Sequence, residues 1–368
     1  MKDLHGDALA AAVEAWVDAH PVTSDDYLVQ LGVAGLSVPG WPEEHGGLGL
    51  SGEQAAVVEG VLRRRGGARS SDDFVGLVLV GPVLQRFGTT AQQQRFLPPL
   101  VRAQEFWCQL FSEPGAGSDL AGLSTRAEQL PDGRWRVNGQ KVWSSLAHHA
   151  DFGLLLARTD STVAKHAGIT AFVVDMRLPG VECRPLVQIT GEDEFDEVFL
   201  TDVVLDDDAR IGEIGQGWTV AVSTLSAERS GLGGQPAVGG GLSTELLARA
   251  QETGAWDDPL LRDDLVAAWI EERAVEAANL RAYAAGDSGP AGSITKLAQS
   301  ELLQRLALLR TEVEPTKAVA WSDADDSSER AAHAFLYSRA YTIAGGTSEI
   351  QRNIIGERVL GLPREPKG

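Results

Sequence analysis

Apolar residues recur at three- and four-residue spacing through "DALAAAVEAWVDA", "SGEQAAVVEGVLRRR" and "TAQQQRFLPPLVRA". That is the repeat of one helical face, so the chain up to about Ala103 is predicted to form amphipathic helices. Ser51, and either Thr89 or Thr90, stand where a side-chain oxygen would cap a first turn. The Gly and Pro residues of "SVPGWPEEHGGLGL" turn the run into a loop. From Glu105 to about Ile211 the period changes. "FWCQLFS", "RWRVNG", "FGLLLAR", "ITAFVVD" and "EVFLTDVVL" are short β-branched or aromatic stretches, separated by turn residues that include Asp132-Gly133 and Asn138-Gly139. After Gly217 the helical period returns in "LLRDDLVAAWIEERAVEAANLRAYAA", "SITKLAQSELLQRLALLRTEV" and "SERAAHAFLYSRAY", as expected of long helices in a bundle.

The pattern predicts an α+β multidomain chain: a helical domain over 1–104, a middle β-barrel or sheet domain over 105–212, and a C-terminal four-helix bundle over 213–368. Gly231, Gly233, Gly234, Pro236, Gly239, Gly240 and Gly241 disfavour a continuous helix, because each interior Gly costs about 1 kcal/mol and Pro about 3. A kink or interruption is expected there.

A length of 368 residues calls for two or three packed units, and 43% hydrophobic with 23% charged residues is ordinary for a globular protein. A formal charge of −20 argues against nucleic acid or an anionic membrane as partner. The two cysteines, Cys108 and Cys183, suggest neither a disulfide framework nor a zinc site. His148-His149 has no companions at metal-ligand spacing. The polar start and the lack of a run of about 20 apolar residues make the cytoplasm the expected compartment, with no membrane partner. Asp206 to Asp208, and Asp323, Asp325 and Asp326, read as solvated loops.

Two stretches carry candidate chemistry. "LFSEPGAGSDL", residues 110–120, has Gly115 and Gly117 for close backbone approach to a ligand and Ser112 and Ser118 for hydroxyls, although a plain β-turn reads the same way. "NGQKVWSS", residues 138–145, offers Trp143 either to a flat aromatic ligand or to the core.

Together with "GGTSEIQRNIIGERVLG", and with "WPEEHGGLGL", "KHAGITAFVVDM" and "GQGWTVAVSTLSAERS", these stretches resemble the acyl-CoA dehydrogenase family over nearly the whole chain. The resemblance implies FAD as cofactor, an acyl-CoA or carrier-protein thioester as substrate, an electron-transfer flavoprotein as reoxidant and a homo- or hetero-tetramer. It implies that Phe111, Ser112, Gly117 and Ser118 hold the flavin ring and ribityl chain, that Trp143 packs on the ring with Ser144 and Ser145 near its N5 edge, and that Thr347 and Glu349 meet the nucleotide half. Ser118, Arg229 and Gly345 would line the acyl-thioester side. The implied reaction removes an α-proton to a carboxylate and passes a β-hydride to the flavin, giving a trans-2-enoyl thioester.

Many members of that family carry the carboxylate just before Gly-Thr-Ser, where this chain has Gly345. Some branches resemble this chain in placing a glutamate before an arginine on the first helix of the C-terminal domain, and Glu228-Arg229 matches that place. Glu228 is therefore the expected base, weighed against a surface ion pair. Two segments that serve a neighbouring subunit's FAD in many members, Arg-x-x-Phe-Gly and Gln-x-x-Gly-Gly, are missing from "RAQETGAWDDPLLRDD" and "RTEVEPTKAVAWSDADD". This resembles a branch of actinobacterial steroid-type pathways in which unlike subunits share FAD sites. A non-catalytic or FAD-sharing subunit, and flavin monooxygenation on the same fold, are the alternatives.

Overall fold

The computed structural model describes residues 1–69, 73–233, 241–284, 291–319 and 331–364, which divide into two compact units. The first comprises Met1–Val187 with Asp193–Thr224, and the second comprises Gln188–Glu192 with Leu225–Gly368.

In the first unit, helices α1 (Gly6–Ala19), α2 (Tyr27–Val33), α3 (Gly52–Arg64), α4 (Gly81–Phe87) and α5 (Thr90–Val101) precede the strands. Leu9, Val13 and Val17 repeat every four residues along α1 and meet Val58, Val61 and Leu62 of α3 in one apolar cluster. Ser51 and Thr89 are both caps: each side chain accepts from the amide three residues on, and Gln54 or Gln92 returns the bond. Gln92 also donates to Asp208 O and Arg210 O, tying α5 to the end of the strand region.

The strands are β1 (Trp107–Leu110), β2 (Arg126–Gln129), β3 (Trp135–Ser145), β4 (Phe152–Arg158), β5 (Ile169–Asp175), β6 (Val181–Leu186), β7 (Phe195–Leu205) and β8 (Arg210–Ile211). They form one sheet in the order β6-β7-β3-β2-β4-β5-β8, with β1 parallel to β4. β6 and β8 lie at its two ends, so the region is a sheet and not a closed barrel among the described residues. The apolar runs of β4 and β5 are buried almost throughout, with Trp135, Val137, Phe172 and Val198 completing the core.

One expectation needs correction. Asn138-Gly139 is no turn: it lies inside β3, where the pairing with β7 shifts register between Val137 and Gly139. Glycine stands there because a Cβ would lie 2.3 Å from Thr125 Oγ1 and 2.7 Å from Thr125 Cα. Asp132-Gly133 does turn the chain, with Gly133 at φ 89°. Asp206, Asp207 and Asp208 are exposed as expected, and Asp207 also accepts from Trp135 Nε1 at 2.8 Å and from Arg210. Gly231 and Gly233 close the last turn of α6, which runs over Gly217–Gly233, and the next helix begins at Leu242. Gly234, Pro236, Gly239 and Gly240 lie outside the described residues, as do Asp323, Asp325 and Asp326.

In the second unit α7 (Leu242–Thr253), α8 (Pro259–Ala284) and α9 (Ala291–Val313) pack around Leu246, Ala250, Leu261, Leu265, Leu302, Leu306 and Leu309. The chain continues as α10 (Pro315–Val319), α11 (Ala331–Tyr341) and α12 (Ser348–Ile354). No helix among the described residues is long and apolar enough to cross a membrane.

Candidate active site

The loop from Phe111 to Thr125 is held by a carboxylate that the sequence reading passed over. Glu113 accepts from Ser124 N and Oγ, both at 2.7 Å, from Thr125 N at 2.8 Å and from Lys141 Nζ at 2.9 Å. Lys141 projects from β3 and also donates to Phe111 O at 3.1 Å. Its side chain is 0% exposed and that of Glu113 4%, so both charges are out of water and depend on each other. Arg158 secures the far end of the loop, donating to Ala121 O at 2.7 Å and Leu123 O at 3.1 Å.

Burial alone would raise the Glu113 carboxyl, but the Lys141 charge and the hydrogen bonds from Thr125 and Ser124 outweigh it and hold it at about 2. Burial pulls the Lys141 ammonium down to about 8 against the attraction of Glu113. The Glu113 carboxyl sits below its ordinary 4.5, so the unfolded chain takes up the proton first as the solution is acidified. The stabilisation is complete above that value and fades as pH falls toward 2. Urea unfolding midpoints measured at about pH 6 and about pH 3.5 are expected to drop on acidification, and to drop less in Glu113→Gln.

So fixed, the loop has its side chains where ligand contact is feasible. Gly117 and Ser118 are exposed and Ser112 is half-buried, with Ser112 O receiving Val142 N at 3.0 Å. A Cβ placed on Gly115 or Gly117 would meet nothing within 4 Å, so the backbone there faces open space. The Phe111 side chain, only 4% exposed, belongs to the core; any ligand contact at that residue is through its backbone.

β3 brings Trp143, Ser144 and Ser145 to this loop through a distortion. Opposite β7, Lys141 pairs with Val198 and Ser144 with Asp196, so Val142 and Trp143 together face Glu197 alone. This is a bulge, which re-aims a side chain. Trp143 takes φ 60°, at a strain of about 1–3 kcal/mol. It is left 60% exposed, edge-on to Phe195. The Ser144 Oγ is buried without a hydrogen-bond partner, and Ser145 is half-buried.

In the second unit the turn between α11 and α12 takes left-handed backbone that glycine adopts freely. Gly345 and Gly346 have φ 65° and 95°. Lys296 of α9, 3% exposed, donates to Tyr341 O at 3.1 Å and Gly346 O at 2.8 Å. Gln351, fully buried, donates to Gly345 O at 3.0 Å and Gly346 O at 2.9 Å. Thr347 caps α12 by accepting from Ile350 N. Glu349 is exposed, and its own backbone amide and the Thr347 hydroxyl hold its carboxyl below the ordinary value. Thr347, Glu349, Thr342, Glu301 and Arg352 line a cleft of about 420 Å³. Glu228 stands half-buried on α6 in this unit, and the Arg229 side chain lies outside the described residues.

The predicted residues thus fall into two groups, Phe111–Ser118 with Trp143–Ser145 in one unit and Glu228 with Gly345–Glu349 in the other. Glu113, Lys141, Lys296 and Gln351 were missed. A lone lysine inside a strand, and another on the apolar face of a helix, were the available signals.

Comparison with known proteins yields three consecutive matches: the acyl-CoA dehydrogenase N-terminal domain over residues 2–104, middle domain over 108–207 and C-terminal domain over 215–360. Acyl-CoA dehydrogenase IpdE1 of Mycobacterium tuberculosis is 45% identical over 350 residues, covering 92% of this chain and 88% of the relative. The solved structure of the Tcur3481-Tcur3483 steroid ACAD superposes with TM-score 0.82 and 26% identity, covering 99% of this chain and 100% of that one. The ChsE4-ChsE5 complex from Mycobacterium tuberculosis superposes with TM-score 0.78 and 25% identity, with 99% and 100% covered.

Proposed function

This chain belongs to the acyl-CoA dehydrogenase family, and on that premise we propose that Glu228 is the base that takes the α-proton of its acyl-thioester substrate. The activity is flavin-dependent α,β-dehydrogenation of an acyl-CoA. Monooxygenation draws no support from relatives that are named dehydrogenases. The observation that carries the choice of base is Gly345: the position before Gly-Thr-Ser has no carboxyl group, and α6 has one at Glu228.

The residues fit the flavin that the family implies. Trp143 is left 60% exposed on a bulge, Ser144 behind it keeps a buried Oγ without a hydrogen-bond partner, and the backbone at Gly115 and Gly117 faces open space. Ser112, Gly117, Ser118, Trp143 and Ser145, with Phe111 through its backbone, would hold the ring end, and Thr347 and Glu349 the nucleotide end; Ser144, expected beside them, is fully buried and presents no surface to a ligand. FAD, when bound, supplies the acceptor for the β-hydride. The protein's share is to orient the thioester, exclude water and offer a carboxylate whose proton affinity a dry site raises.

The substrate we propose is bulky and ring-bearing, of the kind acted on by the steroid ACAD that this chain resembles. A glycine at 345 leaves room that a glutamate would fill. The helix interruption expected after Glu228 falls largely on residues 234–240, outside the described ones, and lends no support here. Anaerobic titration with a panel of acyl-CoAs tests the reading: the flavin band is expected to bleach fastest with polycyclic acyl groups. No bleaching with any thioester, or fastest bleaching with short linear chains, would overturn it.

We further propose that the chain shares its FAD sites with an unlike subunit. Support comes from the two missing FAD-serving segments, from the two-protein ChsE4-ChsE5 neighbour, and from Val266, Trp269 and Ile270, which form an exposed apolar stripe on α8. A yellow, homogeneous, active preparation of this chain alone would refute it.

A further inference from the structure

Two left-handed residues without glycine's freedom, Trp143 at φ 60° and Leu146 at φ 50°, stand within four positions at the end of β3. Such backbone persists only where its surroundings over-determine it. On this stretch the restraints converge on β7. Leu146 N donates to Glu194 O at 2.8 Å. Glu194 stands just before β7; two residues on, within the strand, Asp196 Oδ2 accepts from His148 N at 3.1 Å and His148 Nδ1 at 2.8 Å.

Asp196 is an expensive residue to place there. It is 0% exposed, its Oδ1 has no hydrogen-bond partner, and it sits opposite Ser144, whose Oγ is equally orphaned. Packing alone would be better served by an apolar side chain of similar volume. A carboxylate adds direction: it fastens two donors of one residue and so fixes the path of the chain just after the bulge. His148 keeps 24% of its side chain in solvent, so its ring contributes that bond without filling the core.

We propose that the His148–Asp196 pair is the positioning device that sets the Trp143 bulge and thereby the surface that Trp143 and Ser145 offer to the flavin. The inference rests on the reading of Trp143 as the ring-packing residue. His148 and Asp196 touch neither substrate nor flavin in this account; they act through the backbone between them.

The test is a pair of variants of the full chain, compared by hydrogen exchange at the amides of residues 143–147 and by FAD affinity and visible circular dichroism. His148→Ala is expected to speed exchange and weaken FAD binding, each by about tenfold, since one hydrogen bond to a charged group is lost. The flavin dichroism should change with them. His148→Asn, which sets an amide NH₂ near the place of Nδ1, is expected to restore all three to within about threefold. Unchanged exchange or unchanged FAD binding in His148→Ala overturns the proposal, and so does failure of asparagine to rescue. Should the chain alone take up no FAD, as the sharing of FAD sites with an unlike subunit would have it, hydrogen exchange decides: unchanged exchange at residues 143–147 in His148→Ala overturns the proposal.

Discussion

Glu228→Gln is expected to bind FAD as tightly as the wild type and to lose turnover by about a hundred- to ten-thousandfold. Glutamine keeps the size and hydrogen-bonding reach of the side chain and removes only the capacity to accept a proton, so binding and chemistry separate cleanly. The loss should appear in kcat and kcat/KM together, because the interaction removed is one made in the transition state. Flavin bleaching by substrate under anaerobic conditions should slow by the same factor, since hydride loss from the β-carbon depends on relief of charge at the α-carbon. The reading of Gly345 as a vacated position makes the forecast specific. No carboxyl group is present at 345 to take over, and Glu349 is exposed and assigned to the nucleotide end. Turnover within a few-fold of wild type in Glu228→Gln would remove Glu228 from the mechanism and return the search to the acids of the cleft beside Thr347.

Lys141→Met should lower folding stability by about 3–5 kcal/mol, because it strands the buried Glu113 carboxylate without its cation. Methionine fills much of the lysine's volume, so the loss measures charge and not a cavity. Glu113 would retain its bonds from Ser124 and Thr125, which is why the chain should still fold at low temperature. Removing both charges, as Lys141→Met with Glu113→Gln, is expected to recover part of the loss, since the uncompensated charge is then gone. Urea unfolding of the two single variants and the double provides the cycle. A Lys141→Met variant within about 1 kcal/mol of wild type would mean that the pair is not interdependent.

How far the amino-acid order reveals this protein depends on the range of the interaction concerned. The caps at Ser51 and Thr89 and the apolar runs of β4 and β5 are local, and were readable from a few neighbouring residues. Asn138-Gly139 misled because the same dipeptide suits a hairpin turn and a bulge, and only the approach of Thr125 decides between them. Glu113 lies 28 positions before Lys141, and His148 lies 48 before Asp196, so their partnerships belong to the register of the sheet and to no spacing along the chain. Glu228 emerged from likeness to a family, and the single chain supplies no local pattern that would distinguish it from any other helical glutamate.

The paired glycines at 345 and 346 constrain what can stand in their place. Their backbone lies in the region that disfavours L-residues by about 1–2 kcal/mol each, and Lys296 and Gln351 grip the carbonyls that would have to swing for it to relax. A Gly345→Glu substitution would therefore meet resistance from the scaffold itself. An acid placed at 345 would have to hold a left-handed backbone against two clamped carbonyls.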